Sequence, residues 1–136
     1  MKFKFKSIWI VGSSIVKHAF VRARCNGTVN MELGRHAASV WWQGQSGLRW
    51  GKLESKLNTL LRYEDSPDML VIHCGGNDIG IGSCKSIKLR KCMESTIINI
   101  SKTLPNTRIV CHKYSLDING DLLWNKKVKS NKSKDK

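Results

Sequence analysis

No apolar stretch in this 136-residue chain reaches the roughly 18 residues that a membrane-spanning helix needs, so the sequence contains no such helix. The sequence lacks any paired cysteine motif: Cys25, Cys74, Cys84, Cys92 and Cys111 are odd in number and include no C-x-x-C. That argues against both a disulfide framework and a zinc site, and no metal or organic cofactor is expected. Cysteines scattered through apolar segments act as small buried hydrophobes, which fits a reducing, cytoplasmic setting. Acidic residues are also scarce, 10 Asp and Glu against 24 Lys and Arg, for a net charge of +14.

That charge is uneven. Residues 125–136 hold six Lys and one Asp, and Lys2, Lys4 and Lys6 add three more charges, which leaves +6 over residues 7–124. Three early lysines before Ile8-Trp9-Ile10-Val11 have the outline of a signal peptide, with secretion as the lesser alternative. Gly12-Ser13-Ser14 breaks the apolar run, and Lys17-His18 follows before any small-residue cleavage site. The segment therefore reads as the first core strand.

At 40% hydrophobic and 25% charged, the chain can bury one core and has room for about four or five βα units. Ser7–Val11 is a short β-branched and aromatic run, and Ser13 or Ser14 can cap a helix carrying Ile15, Val16, Ala19, Phe20 and Ala23. Cys25–Gly34, with Asn-Gly at 26–27, reads as a loop with a marginal strand, Ala38–Gln43 as a second strand, and about Leu48–Tyr63 as a helix with Leu53, Leu57, Leu60 and Leu61 on one face. Pro67 punctuates it. Met69–Cys74 is an unbroken apolar strand of the kind buried in parallel sheets. A third helix spans about Cys84–Leu104, closed by Pro105-Asn106, and Arg108–Tyr114 is a fourth strand. Beyond about Asp117 the pattern fades, with only Leu122, Leu123 and Trp124 left as candidates to pack. Alternating strands and helices imply a parallel α/β sheet with right-handed crossovers.

In such a sheet, ligands bind beyond the carboxyl ends of the strands. Three strands here end in small polar clusters: Gly12-Ser13-Ser14, Gly44-Gln45-Ser46-Gly47 and Gly75-Gly76-Asn77-Asp78. A serine opening a helix lies in the positive end of the helix dipole, and a glycine N–H and an Asn amide can donate to an oxyanion. That is the logic of acyl transfer. Read singly, each cluster is a routine turn.

In order and spacing the three clusters resemble the blocks of the SGNH (GDSL-like) hydrolase family, over about residues 7–114. The resemblance implies a flavodoxin-like three-layer α/β/α fold with a parallel sheet, about four strands being present, and hydrolysis of acyl or acetyl esters. It places Ser14 as nucleophile, with the Ser14 and Gly47 N–H groups and the Asn77 side chain as oxyanion hole. Two departures stand out. Position 13 is Ser where the family has Asp, and the family's Asp-x-x-His, which supplies the base, occurs nowhere in the chain.

The resemblance thus implies a chain truncated before that block, with residues 7–116 as an incomplete domain, residues 1–6 as a basic extension and residues 117–136 as a disordered Lys-rich tail. Activity is expected to be weak or absent, since a serine hydroxyl needs a base within hydrogen-bond reach. His18, one helical turn past Ser14, could approach it but reads first as a partly exposed helix histidine; His73, inside the third strand, reads as a packed or hydrogen-bonded core residue. His36 and His112 have no local context for catalysis. The alternative to an ester hydrolase is a non-catalytic binding domain of the same fold; a further alternative is weak nucleic-acid binding through the tail. The fourth strand would be left as an exposed apolar edge, which implies marginal stability.

Counterion release makes one expectation direct. Any polyanion held by the tail should dissociate steeply as salt rises, and deletion of residues 125–136 should abolish that binding in a filter assay.

Overall fold

The computed structural model of the chain describes residues 7–34, 37–74, 86–111, 114–116 and 122–124. Strands β1 (Ser7–Gly12), β2 (Ser39–Gly44), β3 (Met69–His73) and β4 (Arg108–Cys111) alternate with helices α1 (Ser14–Cys25), α2 (Trp50–Leu60) and α3 (Ser86–Thr103). Two short strands follow, β5 (Tyr114–Leu116) and β6 (Leu122–Trp124). The sheet order is β2-β1-β3-β4-β5-β6, with β1–β4 parallel and β5 and β6 added antiparallel. This is the expected α/β class, in the doubly wound flavodoxin-like order.

Strand alternation divides the chain between two faces. Trp9, Leu70 and Ile109 lie in one cross-strand row and Val11, Ile72 and Cys111 in the next, all buried in one cluster. Helices α2 and α3 cover that face with Leu53, Leu57, Leu60, Met93, Ile97 and Ile100. Each such side chain taken from water contributes roughly 1.5–3 kcal/mol, which makes this face the main source of stability. Ile8, Ile10, Val40 and Trp42 point to the other face, where α1 packs through Val16 and Phe20. Trp9 meets Trp41 edge-on at 5.1 Å on the first face, and Phe20 meets Trp42 at 6.1 Å on the second, so the adjacent tryptophans serve opposite layers.

Several elements differ from the sequence expectation. On α1, Val16 is buried and Phe20 and Ala23 half-buried, while Ile15 and Ala19 are exposed. The stripe at i, i+4 and i+7 faces the sheet, and the residue before each lies about 100° around the helix. β4 ends at Cys111 rather than Tyr114, and β5 pairs with it, so the fourth strand is not an edge. The sheet runs past the expected boundary at residue 116, since β6 lies within the segment read as disordered. Residues 125–136 lie outside the described residues, as do residues 1–6.

The edge at β2 is closed by the loop after α1. The Asn30 side chain accepts from Val40 N–H at 2.9 Å and donates to Ala38 C=O at 2.9 Å and Leu33 C=O at 2.7 Å, taking the place of a neighbouring strand. Trp42 Nε1 donates to Val29 C=O at 2.7 Å. To turn the loop back, Met31 and Glu32 adopt left-handed backbone with φ of 52° and 59°. Side chains that occupy edge donors and acceptors oppose strand-to-strand aggregation.

Replacing Asn30 by Ala leaves three part-satisfied backbone groups. It should cost about 1–3 kcal/mol in urea unfolding and raise the apparent mass in light scattering at high protein concentration. Unchanged stability and a monomer throughout would contradict this account of the edge.

Candidate functional site

The site is built where β2, β1 and β3 end. Gly12 lies opposite Gly44 on one side and His73 on the other. A Cβ at Gly12 would stand 2.2 Å from the His73 carbonyl oxygen and 2.5 Å from Val16 Cγ2, so the chain crosses here only because the side chain is missing. Gly44 is equally constrained, with Lys17 N at 2.4 Å from its would-be Cβ, and this allows α1 to sit close over β2.

Three hydrogen bonds tie the turns to one another. Ser13 N–H donates to His73 C=O at 3.2 Å, linking the first turn to β3. Gln45 N–H donates to Gly12 C=O at 2.9 Å, linking the second turn to β1. The Cys74 thiol donates to Leu48 C=O at 3.4 Å, linking the end of β3 back to the second turn. Together they close a triangle around the sheet's carboxyl edge. Cys74, expected only as a small hydrophobe, supplies one of its sides.

Ser14 is the first residue of α1 and half-buried. Ser13 before it is buried in extended conformation at the N-cap, and its carbonyl accepts from Lys17 N–H at 3.2 Å; its side chain makes no capping bond. Gly47 lies in the second turn with φ of +78° and open space about it, after Gln45, whose carbonyl accepts from Leu48 N–H at 3.2 Å. Gly75, Gly76, Asn77 and Asp78 lie outside the described residues. The structure therefore brings the turns of Ser14 and Gly47 together at one edge; the Asn77 assignment rests on sequence alone.

His73 departs from its expected place in the core. It is the last residue of β3, exposed, on the face opposite Leu70 and Ile72. The strand's apolar run masked this, because alternation puts its final residue out beyond the helices. His18 is exposed on α1. His36 and His112 lie outside the described residues. Sequence reading also missed Lys56, half-buried on α2, whose Nζ donates to Gln45 Oε1 at 3.2 Å. Desolvation lowers its pKa, and no salt bridge to it occurs among the described residues. A recess between α2 and α3, lined by Glu54, Leu57, Leu61, Thr103 and Leu104, opens near the helix C-termini and is remote from these turns.

The fold has solved counterparts. An acetyl xylan esterase from Geobacillus stearothermophilus matches in two structures, with TM-scores of 0.55 and 0.56 at 16% identity. These alignments cover 79% and 82% of this chain and 59% and 61% of the esterase chains. AlinE4, an SGNH-hydrolase family esterase, matches with a TM-score of 0.54 at 16% identity over 82% of this chain and 60% of its own. The chain therefore has the fold of SGNH hydrolases and spans about 60% of the length of these esterases. No family model matches the sequence, and no curated protein does.

The two glycines of the site should respond differently to the same change. Gly12→Ala forces backbone apart and should cost about 3 kcal/mol or more, enough to lose the cooperative thermal transition. Gly47→Ala meets no atom and should cost only the left-handed backbone penalty, about 1–2 kcal/mol. Equal melting temperatures for the two variants would contradict the close approach at Gly12.

Proposed function

We propose that the chain is an ester-hydrolase module of the SGNH type built around Ser14, with the Ser14 and Gly47 N–H groups and the Asn77 amide as oxyanion donors. The observation that carries the reading is the position of Ser14. It opens α1 directly after β1, beside a second turn in which Gly47 has left-handed backbone. Helix-terminal N–H groups there favour a developing negative charge.

In the reaction, Ser14 Oγ attacks the acyl carbonyl carbon while a base takes its proton. The oxyanion is held by the donors, and its collapse expels the alcohol, which regains the proton. Water then attacks the acyl-serine and releases the acid. No Asp-x-x-His supplies that base within the chain, so turnover is slow unless the base comes from another polypeptide or from sequence beyond these residues. The solved acetyl xylan esterases support a short acyl ester on a carbohydrate as the substrate class. The odd number of cysteines, with no C-x-x-C pair among them, supports a reducing, cytoplasmic setting.

A second reading has its own support. With the family's base missing and both described histidines exposed, a pseudoenzyme that keeps the pocket and binds an ester without cleaving it accounts for the same residues. Intact-mass analysis after fluorophosphonate treatment of folded protein separates the two. The hydrolase reading predicts a slow, single adduct on the parent and none on Ser14→Ala. A folded parent that stays unlabelled leaves the binding domain.

A further inference from the structure

Parallel sheets occur almost only with both faces covered. Here the cover is uneven. On the first face α2 and α3 bury Leu70, Ile72, Ile109 and Cys111. On the second, α1 packs chiefly on β2 and then on β1. No further helix among the described residues lies over β3 and β4 on that face, and Met69, Val71 and Val110 stay half-buried.

Those three side chains floor a groove of which α1 is one wall. The Lys17 backbone lies against Gly44 and the Phe20 ring against Trp42, which fixes the flank of α1 that faces β2. Ile15, Ala19 and Arg22, at i, i+4 and i+7, lie on the opposite flank, toward β3, and all three are exposed. The floor follows the five residues of β3, about 17 Å, the length of about 11 residues of helix. One end of the groove is basic. Arg22 lies in the last turn of α1, and Arg108 opens β4 on the face of Val110, so both stand at the amino edge of the sheet. Both are exposed and make no ion pair among the described residues. Asp68, whose C=O accepts from Arg108 N–H at 3.0 Å, directs its carboxylate to Ser7 N–H at 2.9 Å.

From this groove we propose that the second face docks an amphipathic helix of a partner protein, its apolar stripe on Val71, Val110 and Ala19 and its acidic side chains against Arg22 and Arg108. An apolar floor with one helical wall is a shape that a second helix fills. The charge selects among occupants. A second copy of this chain would bring arginine against arginine, since α1 carries Lys17, Arg22 and Arg24 and no acid. A bilayer takes up apolar groups that protrude, whereas Met69, Val71 and Val110 lie on the sheet, below α1. Residues 125–136 hold one apolar side chain, Val128, too few for the stripe. Docking here requires no chemistry at Ser14.

The test is binding by the full chain, in fluorescence anisotropy, of a synthetic peptide of about 18 residues with a leucine stripe flanked by Glu, beside a Lys-flanked sibling. The Glu peptide should bind about tenfold or more tighter than the Lys peptide at about 50 mM salt. Combining Arg22→Glu and Arg108→Glu should reverse that preference. Ala19→Gln, which puts a longer side chain into the groove, should weaken the Glu peptide about tenfold, and Val21→Gln, away from the groove on the same helix, less than about twofold. All four positions are exposed, so each variant should keep the parent's thermal transition.

A Glu peptide still preferred after the double arginine reversal would place its binding elsewhere, on the Lys-rich tail for example, and would overturn the proposal. Equal effects of Ala19→Gln and Val21→Gln would do the same. So would a dimer of the parent in sedimentation that Ala19→Gln dissolves, which would make the occupant a second copy. Sedimentation of the chain with phosphatidylglycerol vesicles, lost in Ala19→Gln, would make it a membrane and would equally overturn the proposal.

Discussion

The close crossing at Gly12 is the constraint on which the rest of the site depends. β1 is the strand both neighbours share, and its last residue lies against the His73 backbone with no room for a Cβ. Because the strands can approach there, Ser13 N–H reaches the His73 carbonyl and the Gly12 carbonyl receives Gln45 N–H. Those two bonds, with the Cys74 thiol on Leu48, set three turns from distant parts of the sequence in fixed relation. A catalytic constellation assembled from loops needs such positioning, because an error of about 1 Å costs much of the benefit of proximity. Here the positioning comes from backbone, and the side chains of the turns remain available for chemistry.

The parallel core was legible in the sequence because its physics is local and repetitive. Met69–Ile72 is apolar at every position, as a strand covered on one face and flanked on the other tends to be, and Leu53, Leu57 and Leu60 mark their helix by spacing alone. What escaped was decided by tertiary partners. β5 and β6 are three residues each, too short for any periodicity, and their existence depends on the free edge of β4 that they cover. His73 looked buried because its neighbours in sequence are, yet it stands one residue beyond the core rows. Asn30 looked like an ordinary turn residue, and only the edge of β2 gives its amide a purpose.

At the site, Ser14 and Gly47 could be named from the sequence because their positions after strands carry the resemblance. The Gln45–Lys56 pair could not, since it joins a turn to a helix eleven residues on with no motif to mark it.

Backbone bonds through Gly12 lock the turns to one another. Amide hydrogen exchange by NMR reports on this at Ser13 and Gln45, which sit in loop positions that would otherwise exchange quickly. Both amides should exchange as slowly as those of Leu70 and Ile72 in the central strands. Exchange of Ser13 and Gln45 at the rate of exposed loop amides, with the strands protected, would contradict it.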